Sequence, residues 1–226
     1  MRLKRLRVCV RCRCVERTVH PASGRRRGHS AVELAVVIVI IGVFLSILMP
    51  ILGRAREQGI SSRCVAQLKD IGVGIGLYMQ TFNGWFPASG DGADWFEKTA
   101  RFMVNNDSEE EWIKAKSKFA CLRADKSQRG FGRGSISYGW NEASIPYKTT
   151  EKTVVKNSTE LILIGDSLPG PQAHILLPAG PVTKDRTRLC FRHLGRANVL
   201  SANAGNVRSL TPEEVFYEFP RLWVPK

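Results

Sequence analysis

The sequence predicts an α+β fold, a long N-terminal helix packed on a small antiparallel sheet. Three observations predict it. The run from Leu34 to Leu52 carries no charge, apolar residues then recur at helical spacing from Ile60 to Phe82, and short strand-like runs follow from Ser135 onward. With 226 residues, 43% of them hydrophobic, the chain can bury a core and is not a disordered tail.

The N-terminal block is basic. Net charge is +14, which first suggests a nucleic-acid binder, but residues 1–28 hold ten Lys and Arg against Glu16 alone. The other 198 residues keep 24 basic against 19 acidic side chains, only +5, so no nucleic-acid partner is expected. Six cysteines divide the same way: Cys9, Cys12 and Cys14 in the block, and Cys64, Cys121 and Cys190 beyond it. An odd three in the body excludes a fully paired disulfide scaffold. Cys9, Cys12, Cys14 and His20 have donor chemistry suited to zinc, but no metal or other cofactor is expected.

Next comes LAVVIVIIGVFLSILMPIL, Leu34 to Leu52, which as a helix would span roughly 28 Å, the hydrocarbon thickness of a bilayer. Arg25, Arg26 and Arg27 crowd its N-terminal side against Arg54, Arg56 and Arg63 after it. That bias puts the N-terminus in the cytoplasm and the rest outside. Glu33 sits at the apolar edge, where drawing an ionised carboxylate into lipid costs on the order of 2–3 kcal/mol or more, so it is read as functional. Pro50, near the end of the run, lacks a backbone donor and is expected to bend the helix.

RRRGHSAVELAVVIVIIGVFLSILMPIL resembles the N-terminal signature of type IV pilins and type II secretion pseudopilins: a basic leader ending in Gly, an acid as the fifth residue after it, an apolar helix and a Pro near its end. Gly28, Glu33 and Pro50 fall where that pattern places them. The resemblance implies cleavage by prepilin peptidase between Gly28 and His29, methylation of the new amine, and a role for Glu33 in assembly with other pilin or pseudopilin subunits. The stretch SRCVAQLKDIGVGIGLYMQTFNGWFP is similar to pilin-like proteins with a prepilin-type N-terminus, and the resemblance covers residues 25–87 well and the rest sparsely. It divides the chain into a leader (1–28), a transmembrane and assembly helix (29–52) and a pilin-like periplasmic head (53–226) that includes the second half of the long helix.

Within that head, Ile60, Cys64, Leu68, Ile71, Ile75, Met79 and Phe82 form one helix face, ended by Asn83-Gly84. GVGIG follows no strand and has the wrong spacing for a phosphate loop, so close helix packing is its expected use. DWFEKTARFMV and, after the cap Ser108-x-x-Glu111, EEEWIKAKS read as short helices. SISYGWN, TELILIGDS, AHILLPA, RLCFRH and ANVLSAN read as strands, and Thr211-Pro212-Glu213-Glu214 opens a last helix. RGFGRG at 129–134 reads as a loop.

Asp166, His174, Asp185 and His193 are the best candidates for catalysis. Asp166-Ser167 is an ordinary turn after a strand, no Ser lies in a GxSxG elbow, and no enzymatic activity is expected. The segment FRHLGRANVLSANAGNVRSL resembles the end of the same pilin-like proteins, in which nine residues separate a His from a following Asp-Gly. His193 is kept, but Asn203-Ala204 replaces Asp-Gly, so calcium is not carried over. A hairpin with Asn and Gly in its turn accounts for this segment. Export would allow Cys64 and Cys121 to form a bridge stapling helix to head, with Cys190 competing for either. The expected function is assembly into a type IV pilus or a type II secretion pseudopilus. The rival is a signal-anchored periplasmic binding or enzyme domain that never leaves the inner membrane.

Overall fold

The computed structural model describes residues 9–10, 13–14, 30–87, 94–104, 108–143, 145, 159–177, 187–203, 205–217 and 219–223. Gly28, His29, Cys12, His20 and Asp185 lie outside the described residues. The chain divides into two compact units, Met1–Met49 and Pro50–Lys226. In the first, β1 (Cys9–Val10) and β2 (Arg13–Cys14) pair antiparallel.

Helix α1 (Ala31–Thr81) begins in the first unit and runs through Pro50 into the second. Its start is a reciprocal cap: the Ser30 hydroxyl accepts from Val32 N–H at 3.3 Å, and the Glu33 carboxylate accepts from Ser30 N–H at 2.9 Å. Its end is set by Asn83 and Gly84, both left-handed at φ 51° and 82°, with Gly84 N–H returning to the Met79 carbonyl at 2.7 Å. Cys64, Leu68, Ile71, Ile75 and Met79 form its buried face. Gly74 makes the close packing expected of GVGIG, since a Cβ there would sit 2.7 Å from Met103 Cγ.

The two short helices follow as expected. α2 (Trp95–Arg101) starts where Asp94 N–H donates to the Glu97 carboxylate, and α3 (Glu109–Ser117) where Ser108 Oγ accepts from Glu111 N–H. The sheet comprises β3 (Tyr138–Asn141), β4 (Ile162–Asp166), β5 (Ile175–Leu177), β6 (Ala197–Ser201) and β7 (Val207–Leu210), in the order β5-β3-β4-β6-β7.

Two strand expectations are corrected. The sheet is mixed rather than antiparallel, because β5 pairs parallel with β3 while the other three pairings are antiparallel. With β6 on the free edge of β4, the chain reverses after β4 and lands on the far edge of β3, so it runs in the direction of β3. Gly139 permits that approach: a Cβ there would lie 2.6 Å from Leu176 N. RLCFRH is not a strand but contributes isolated bridges, Ser167 with Leu189 and His193 with Arg196. Its backbone divides its hydrogen bonds, Arg188 N–H going to the Leu176 carbonyl and Cys190 N–H to the Asp166 carbonyl, so no single ladder forms.

Both faces of the sheet are covered. One packs on α1 through Leu161, Leu163 and Leu200, around the aromatic group Phe86, Trp95, Phe96, Phe119 and Trp140. On the other, Ile162, Leu176 and Val199 meet Val215, Leu222 and Trp223 from α4 (Pro212–Tyr217) and α5 (Phe219–Trp223). This burial explains why β4 reads as a continuous apolar run up to Asp166 rather than an alternating one.

Candidate functional site

Two regions stand out, and each is built by α1. In the first unit and just beyond it, the side chains from Val32 to Leu52 are exposed; Met49 is 72% and Leu45 47% accessible. An 18-residue stretch has a mean hydropathy of 3.0 and none of it is buried, so this part of α1 is long and apolar enough to cross a membrane. Glu33 stands at its start. Its carboxylate caps the helix through Ser30 N–H, a local role that the sequence signal Ser30-x-x-Glu33 encodes as directly as Ser108-x-x-Glu111 does.

The second region is a buried polar cluster in the head. Cys64 comes from the inner face of α1, Cys121 from the turn after α3, Asp166 from the end of β4 and His193 from the loop before β6. The Cys64 and Cys121 sulfurs lie 2.6 Å apart, and His193 Nε2 is 3.4 Å from Cys121 Sγ and 3.6 Å from Asp166 Oδ2. Asp166 also accepts from Asn198 N–H at 2.7 Å and faces Arg192 at 3.8 Å. The residues expected singly as a cysteine pair, a strand-end acid and a retained histidine thus form one site. Cys190 is a half-buried free thiol outside it.

The charges in this cluster are coupled. Burial alone would lower the His193 pKa, but the hydrogen bond to Asp166, the contact with Cys121 and the Asp166 charge outweigh it and raise the value to about 9. Between the two thiols, the contact holds Cys64 below its ordinary value and, with burial, raises Cys121 well above its own. Tyr138 is held well above the usual phenol value, first by its burial. The two sulfurs and His193 Nε2 lie within 4.8 Å of one another, so by donor type this is also where a soft cation could be held.

The other catalytic candidate within the described residues is structural. His174 Nδ1 bonds to the Arg133 carbonyl at 3.0 Å, and its own carbonyl accepts from Trp95 Nε1 and Trp140 N–H. An open groove lined by Ser61, Ser62, Val65, His193, Asn198 and Ser209 runs beside the cluster. The Asn198 side-chain amide is buried there without a hydrogen-bond partner among the described residues. No family model matches the chain, and neither the curated proteins nor the solved structures give a match.

Proposed function

We propose that this chain is a non-enzymatic pilin-like or pseudopilin subunit that crosses the bacterial inner membrane once, is processed after Gly28, and assembles through the first half of α1. The carrying observation is the exposed apolar belt from Val32 to Leu52 headed by an acid. A lipid bilayer satisfies such a belt before assembly and neighbouring copies of the same belt satisfy it afterwards. In this reading the N-terminus is cytoplasmic, the head lies in the periplasm or on a filament, and the partners are prepilin peptidase and sibling subunits. Cleavage creates an amine at His29. In a stack, one chain's amine meets the next chain's Glu33, two groups costly in apolar surroundings become tolerable together, and register is fixed.

The capping bond at Glu33 sharpens the test. Glu33→Gln keeps a side chain able to accept from Ser30 N–H but removes the charge, whereas Glu33→Ala removes both. Both variants should insert and be cleaved to begin at His29, as read by N-terminal mass spectrometry, and both should be missing from sheared-filament fractions. A Gln variant that enters filaments like the wild type would reduce Glu33 to a helix cap and favour the plain signal anchor. An uncleaved leader in a strain with active prepilin peptidase would count against the whole reading.

A further inference from the structure

We infer that Cys64 and Cys121 are joined by a disulfide in the exported protein, a covalent staple between the inner face of α1 and the head, with Cys190 left free. The inference rests on the proposed function in one respect, that the head lies in an oxidising compartment.

Three observations carry the pairing. The sulfurs lie 2.6 Å apart, already inside non-bonded contact and a small movement from the ~2.05 Å of a bond. Two thiolates sharing one tetrahedral zinc at ~2.3 Å each would be held roughly 3.8 Å apart, so closing the pair needs less movement than opening it around an ion. Cys190, the other thiol of the body, lies outside the cluster, which removes the competitor that the sequence leaves open. The surroundings suit a bond better than two thiols. Both cysteines are fully buried.

The chemistry is thiol–disulfide exchange. A low-molecular or protein disulfide, R–S–S–R, is the oxidant. The Cys64 thiolate attacks one of its sulfurs and expels RS⁻, leaving a mixed disulfide. The Cys121 thiolate then attacks the Cys64 sulfur and expels the second RS⁻. The two thiol protons end on the two departing RSH molecules, so the chain loses two hydrogens and the oxidant gains them. Because both sulfurs are fully buried, the first attack precedes docking of α1 on the head and the second accompanies it.

The test uses the full chain in detergent, alkylated with N-ethylmaleimide in denaturant before and after reduction, with peptide mass mapping. Cys64 and Cys121 should be unlabelled before reduction and fully labelled after it, appearing as one linked peptide pair, while Cys190 labels throughout. A parallel sample is fully reduced, then refolded in oxidised glutathione. Thiols found reduced in cells that close as Cys64–Cys121 in glutathione support the pairing and count against export. Linkage through Cys190, or no linkage in glutathione, overturns the inference, as does isolation of the exported chain with both thiols free and one zinc bound. Cys190→Ser should leave the linked pair intact, which keeps the test decisive if Cys64→Ser or Cys121→Ser chains fail to fold.

Discussion

The two halves of α1 share one backbone and obey different solvents. From Leu34 to Leu52 every side chain is apolar or small and none is buried; from Cys64 to Met79 the residues Cys64, Leu68, Ile71, Ile75 and Met79 form one buried face, while Val73 on another face is exposed. In the proposed reading the first half is uniform because every direction around it must tolerate hydrocarbon, and the second is periodic because one direction is core. A mutation should therefore mean opposite things in the two halves.

The largest expected effect comes from placing a charge at matched positions. Ile71→Asp would bury an unpaired carboxylate in the core and should unfold the head, a loss of several kcal/mol, whereas Ile40→Asp should leave head stability unchanged and impair membrane insertion. Urea unfolding of the detergent-solubilised chain followed by tryptophan fluorescence, alongside carbonate extraction of membranes, separates the two. Equal destabilisation of the head by both would erase the distinction between the halves.

The proposed staple sharpens the same comparison, since it would tie only the second half. Closing a loop between residues 57 apart should be worth on the order of 4 kcal/mol in the chain-entropy description. Cys64→Ser should lower the urea midpoint accordingly under oxidising conditions and much less when the wild type is reduced.

A smaller effect lies in the pH dependence of the reduced protein. The His193 pKa of about 9 in the folded state exceeds the ordinary value near 6.5. The stabilisation from its bound proton is therefore fully present below about pH 6.5 and is lost as pH rises through 9. Relative to a His193→Gln chain, the reduced wild type should lose about 3 kcal/mol of its advantage across that window. A pH-independent difference between the two chains would show that His193 acts by shape alone.

The smallest concerns the start of α4, outside α1. Thr211 N–H donates to Glu214 at 2.6 Å while Thr211 Oγ1 accepts from Glu214 N–H at 3.2 Å, a reciprocal cap on α4 that also holds Glu214 below the usual carboxylate range. Thr211→Ala should cost about 1 kcal/mol in the same urea experiment.

Local signals in the sequence translated well. The helices over 95–101 and 109–117, the start at Pro212 and the stop at Asn83-Gly84 each depend on groups within a few residues of one another, so their chemistry is written in adjacent letters. The strand direction of β5 and the irregular path of Leu189–His193 depend on which sheet edge is already occupied, which no window of sequence contains. The same holds for the site. Asp166 and His193 look like an ordinary turn residue and an isolated histidine until the end of β4 and the loop before β6 bring them to 3.6 Å. The Ser30–Glu33 cap was legible throughout; an acid beside a membrane run invites a long-range explanation and draws attention from the hydroxyl three residues before it.

The sheet that covers α1 on one side is itself covered on the other by Val215, Leu222 and Trp223. Synthesis delivers the inner face of α1 early and these residues last. β4, the central strand, cannot bury both of its faces until nearly the whole chain has emerged. Its partners span the length of the head, so closure is a late, high-contact-order event. The nascent α1 must carry Leu68, Ile71 and Ile75 uncovered until the sheet forms, and a chain truncated before Leu210 would leave Ile162, Leu176 and Val199 bare on the opposite face of the sheet, making premature termination a direct route to aggregation and proteolysis.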